Sequence, residues 1–154
     1  MAKLSINEAA AGFTHAVRFD YVDLQTTGFL TTGGAANQRI VGELPPGGYV
    51  DLAMLYQITD PSGATDLTID FGTTSSDPDE LLDNGDVDAA TKVLVNTGDQ
   101  FVQSTTGATI TVKGAVNNTA SAVDLIMEFN GTHGSLTAGE WVLCWRQSDP
   151  PTLG

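Results

Sequence analysis

The stretch PPGGYVDLAMLYQITD, residues 45–60, carries the clearest periodicity in the chain. Val50, Leu52, Met54, Tyr56 and Ile58 occupy every even position, the spacing that puts side chains on one face of a β-strand. Their odd neighbours include Asp51 and Gln57, but Ala53 and Leu55 make the middle apolar on both faces. The pattern predicts a central strand covered on both sides. Pro45 and Pro46, which cannot donate to a ladder, stop the preceding strand, and Asp60-Pro61-Ser62-Gly63 reads as a turn.

Outward from this strand the two-residue period recurs. It begins at Phe13, with Val17, Phe19 and Tyr21 between polar neighbours, and QRIVGEL (38–44) is a brief strand. Leu67, Ile69 and Phe71 alternate in DLTIDFG, and KVLVNTG, QFVQS and ATITVKG follow, the last with Ile110 and Val112 inward. Val123, Leu125, Met127 and Phe129 mark another strand, and Trp141, Leu143 and Trp145 the final one. Some 8–10 strands without intervening helical patterns point to an all-β fold, an antiparallel β-sandwich of jelly-roll type. The expected organisation is an extended arm over 1–12, one domain over 13–147 and an extended tail over 148–154.

The chain has 154 residues, enough for one domain with a real core, and no solenoid or propeller period. Nineteen acids against six bases leave a net charge of −13. Lys3, Arg18, Arg39, Lys92, Lys113 and Arg146 are scattered singly, so nucleic acid and anionic membrane are excluded as partners. Cys144, the one cysteine, lies in the apolar run WVLCW and reads as a small strand residue. The lack of disulfides fits synthesis in a reducing cytoplasm. No leader or membrane span is expected, and the sequons at Asn117 and Asn130 read as turns.

SSDPDELLDNGDVDAATK (75–92) holds six carboxylates before Lys92 and is the segment most suggestive of chemistry. It fails as an EF-hand: with Gly85 as the loop glycine, Leu82 falls on a ligand position and Thr91 on the closing one. Asp83, Asp86 and Asp88 are the candidate ligands of a looser calcium site. The competing reading is a helical turn near 78–83, with Asp77 as cap, Pro78 first, and Asp79 and Glu80 at the positive end of the dipole. A glycosidase acid pair would need one carboxyl in an apolar cleft, and nothing in the run provides one. His15 and His133 stand far apart without zinc spacing, and neither a nucleophile elbow nor a phosphate loop occurs. No catalytic residue and no cofactor is expected. Trp141 and Trp145 read as core or subunit interface, or as a sugar-stacking surface.

The run DLTIDFGTTSSDPDELLDNGDVDAAT (66–91) resembles a segment of small tailed-phage virion proteins, in which a strand end passes into a Ser/Thr and Asp-Pro-Asp stretch and a short acidic turn. The acidic, nearly Cys-free, all-β character over 13–147 is similar to the head decoration, or auxiliary capsid, proteins of that group. The resemblance implies a jelly-roll subunit that trimerises on the outer capsid surface of the virion and cements the major capsid protein, with no catalytic residues. On that expectation Lys3, Leu4 and Ile6 of the arm are the capsid contacts, and Phe129, Trp141 and Trp145 the subunit interface. The alternative is a carbohydrate-binding, lectin-like module of a phage tail or spike.

Overall fold

The computed structural model describes residues 12–30, 37–63, 65–74, 76, 78–87, 93–95 (backbone alone) and 114–150. Among them the chain forms β1 (His15–Asp20), α1 (Tyr21–Gln25), β2 (Gln38–Leu44), β3 (Tyr49–Ser62), β4 (Thr65–Gly72), β5 (Leu82–Asp86), β6 (Val93–Val95), β7 (Ala115–Val116), β8 (Val123–Thr132) and β9 (Ala138–Ser148). Sheet I has the order β1-β9-β3-β6, with β7 also on β3, and sheet II the order β2-β8-β4-β5. Every pairing is antiparallel. The protein is an all-β sandwich.

Alternation along the strands turns one face of each sheet inward. Phe19, Ala53, Leu55, Trp141, Leu143 and Trp145 from sheet I meet Leu67, Ile69, Phe71, Leu125, Met127 and Phe129 from sheet II. The aromatic rings interlock: Phe19 stands edge-on to Phe129 at 5.3 Å, and Phe71 is tilted against Trp145 at 5.4 Å. Phe129, Trp141 and Trp145, expected at a subunit interface, are therefore core residues with exposures of 1, 0 and 0%. A large aromatic ring filling the space between two sheets cannot also reach a neighbouring subunit. Gly139 makes room for this packing. Its φ of +137° favours glycine, and a Cβ there would overlap the Trp141 ring.

Four local expectations change. The central strand β3 is present, but its even residues do not share one face: Val50 is buried, as are Ala53, Leu55 and Gln57, while Leu52, Met54 and Tyr56 are half-exposed. The register shifts between Val50 and Leu52, so Asp51 is the extra residue of a bulge and the side chains from Leu52 to Gln57 change face, until a second shift between Gln57 and Thr59. The strand also continues through Asp60-Pro61-Ser62, and the chain reverses at Gly63, where φ is +84°. At the other edge, Tyr21 is helical instead of extended. Asp20 accepts from the amides of Val22 and Asp23, and Asp23 accepts from the Asp20 amide, a reciprocal cap that ends β1 and starts α1.

The fourth change is the helical turn near 78–83, which is replaced by the entry to β5. Leu81 and Leu82 are both fully buried, and pairing with Phe71 of β4 gives Leu82 a core position that one isolated turn would not. Asn84 takes a left-handed φ of +48° within this bulged pairing, a conformation Asn tolerates better than most residues. Lys3, Leu4 and Ile6, and the strands expected over 100–104 and 108–113, lie outside the described residues.

Candidate interaction surfaces

The acidic segment is tied down by its own carboxylates. Glu80 accepts from the Thr73 amide at 2.8 Å, from the Thr73 hydroxyl at 3.1 Å and from the Thr74 hydroxyl. Burial pushes this carboxyl up, but the hydrogen bonds from Thr74 and Thr73 and from its own amide outweigh it and hold it below its ordinary value. Glu80 thus clasps the end of β4 instead of facing a helix dipole. Gly72 permits the close approach, since a Cβ there would lie 2.8 Å from the Pro78 carbonyl carbon. Of the calcium candidates, Asp83 accepts from the Asn84 side chain at 2.8 Å and Asp86 lies across from Thr68. Asp88 is outside the described residues. Among those described, no three His, Cys, Asp or Glu side chains gather as a metal site.

The outward face of sheet II carries Ile126 opposite Ile40 among polar side chains that cross-link the strands. Asp70, 4% exposed, accepts from the Asn84 amide at 2.5 Å and from the Asn130 side chain at 2.9 Å. Asn130 in turn accepts from Asn37 at 3.1 Å, and Gln38 donates to Glu128. Register places Asp70 opposite Glu128, and Glu43 opposite Asp124, so acid faces acid across two strand pairs. Arg39, the base of β2, is turned away onto the Phe29 ring 4.1 Å distant. Both sequon asparagines are structural. The Asn117 side chain donates to the Leu44 and Ser121 carbonyls, and Asn130 belongs to the network just described.

A shallow cleft of about 220 Å³ opens at one end of sheet I, lined by Asp20, Tyr21, Thr59, Thr137 and Glu140. Its two carboxylates are engaged: Asp20 caps α1, and Glu140 pairs with Arg18 at 2.5 Å and accepts from Thr59 at 3.5 Å. His133 sits in the turn between β8 and β9, where its carbonyl accepts from the Leu136 amide. His15 lies flat on Trp145, with ring centres 5.3 Å apart, and burial lowers its pKa against a smaller opposing effect of Asp149. Trp141 and Trp145 are closed off from any sugar-stacking role by their burial.

The outward face of sheet I is apolar instead. Ala16, Cys144 and Met54 form one row across β1, β9 and β3, and Val142 and Tyr56 continue the next. Phe13 folds back onto this face, edge-on to Tyr56 at 6.2 Å. Phe13, Ala16, Val142 and Cys144 are buried as a second, smaller cluster, with Leu52, Met54 and Tyr56 packed against it and half-exposed. Ion pairs stand at both ends: Arg146 with Asp51 at 2.7 Å and Arg18 with Glu140. Asp51 raises the Arg146 pKa, through a hydrogen bond first and its charge second. This face left a trace in the sequence as Ala53 and Leu55 between the even apolar residues, and WVLCW repeats it in β9.

No family model, no curated protein and no solved structure matches this chain. Among the described residues no helix is long and apolar enough to cross a membrane.

Proposed function

We propose that this chain is a structural virion protein, a head decoration protein that binds and cements the outer surface of a tailed-phage capsid as a homotrimer. The observation that carries this reading is sheet I, apolar on both faces, in a chain whose net charge is −13. One such face makes the core, and a second one is a surface built for contact with protein. The strand order supports the reading too. With the two-residue β7 set aside, the chain visits the sheets in the order we interpret as a jelly roll, an architecture common in capsid proteins. The major capsid protein is the expected partner. Many copies of a modest contact, repeated over a shell, stabilise it far beyond the strength of one.

The lectin-like alternative rested on Trp141 and Trp145 as a stacking platform, and their place in the core removes that support. The test is co-sedimentation with heads of the encoding phage, before and after expansion. Saturable binding at a fixed copy number per capsid protein is the expected result. Heads that leave the chain in the supernatant at every salt concentration would overturn the proposal.

A further inference from the structure

We infer that the outward face of sheet I, along β3, is where one copy of the chain meets another. This inference rests on the homotrimer reading above and supplies the interface that Phe129, Trp141 and Trp145 cannot. The strip runs over Tyr49, Leu52, Met54, Tyr56 and Ile58, about 30 Å at the usual rise per residue. Tyr49 and Ile58 are 41 and 51% exposed, and Val116, opposite Tyr49 in the neighbouring strand, is 60% exposed. Large apolar side chains thus follow one another along the outward side of β3, open to solvent at both ends of the row.

Charge selects a second copy as the occupant. A chain of net charge −13 repels itself wherever unpaired acids face each other. Sheet II presents the exposed Glu43 opposite the exposed Asp124, so two copies meeting there would add acid to acid. On sheet I Asp51 pairs with Arg146 and Glu140 with Arg18, while Asp20, opposite Glu140, is held as the cap of α1. That strip can approach its own copy with Asp51, Glu140 and Asp20 each held by a partner within the chain, and closed symmetry uses such self-compatible surfaces.

The experiment is sedimentation equilibrium of the full chain and of three variants: Ile58→Asp, Tyr49→Asp, and Val22→Asp on α1 as a control of similar exposure, 52%. The near-ultraviolet circular dichroism of Trp141 and Trp145 reports retention of the fold, and Ile58→Ser and Tyr49→Ser replace any variant that loses it. The expected result is a multi-subunit wild type, self-association weakened at least about 30-fold by each β3 variant, and no change with Val22→Asp. A wild type that is monomeric at every concentration overturns the inference, as does an oligomer indifferent to the β3 variants. A monomer that still binds heads would refute this interface and leave decoration standing. An oligomer broken by the β3 variants that ignores heads would do the reverse.

Discussion

On sheet I the residues turned away from the core include Ala16, Cys144, Met54, Val142 and Tyr56; on sheet II the corresponding places hold Gln38, Glu128, Asp70 and Asn130. The inward faces are alike, aliphatic residues with interlocked rings, yet the outward faces differ in balance: on sheet II the pair Ile40 and Ile126 sits among polar side chains. Asp70 with Asn130, Asn130 with Asn37, and Gln38 with Glu128 hydrogen-bond across the strands of sheet II. On sheet I Ala16, Val142 and Cys144 are buried, whereas Leu52, Met54 and Tyr56 beside them are covered only in part. The difference separates what stabilises one subunit from what is available to hold subunits together.

The inward face should show the largest effect when broken. Trp145→Ala removes a fully buried ring in contact with Phe71 and His15, and is expected to destabilise the fold by about 3–5 kcal/mol in chemical denaturation. The polar outward face comes next. Asp70→Ala leaves the Asn84 amide and the Asn130 side chain without this acceptor, with an expected loss of about 1–3 kcal/mol, measured the same way. Ile58→Asp on the apolar outward face should change single-subunit stability by no more than about 0.5 kcal/mol, because the site is half open to water. Together these variants would show that stability and assembly reside on different faces.

Two smaller effects depend on pH. Glu80 has a folded-state pKa below its ordinary value, so its contribution is present above the unfolded pKa and is lost as pH falls through the folded one. Glu80→Gln should flatten this acid limb in denaturation curves taken between neutral pH and the acid range. His15 is a base whose folded pKa is lowered, so the unfolded chain binds its proton more readily. Stability should therefore fall as pH drops below about 6.5, levelling off beneath the folded pKa, and His15→Phe should remove that slope.

The alternation in β4 and β8 is legible because Leu67, Ile69 and Phe71 have polar neighbours and Leu125, Met127 and Phe129 have Asp124 and Glu128 beside them despite Ile126, and in β9 because two tryptophans mark the phase. β3 was legible as a strand but not in phase. With both faces apolar, period alone does not say which set is inward, and the bulge at Asp51 shifts the answer partway along. The acidic segment misled for a different reason. Asp-Pro followed by DELL satisfies local helix rules, whereas the partners that decide its structure, Phe71, Thr73 and Thr74, precede it in β4 and the turn beyond. The cap at Asp20 and Asp23 was available in the sequence as a D-x-x-D pattern and was masked by the strand rhythm running into Tyr21. The outward strip on β3 was half visible, since covering on both sides was inferred while the covering body was not.

The most direct test of the account is the molar mass of the purified chain in solution by light scattering, with and without EDTA. The account predicts a stable trimer that EDTA leaves unchanged, held by the apolar face of sheet I. A monomer, or a trimer that dissociates on chelation, would contradict it and turn attention to Asp83, Asp86 and Asp88.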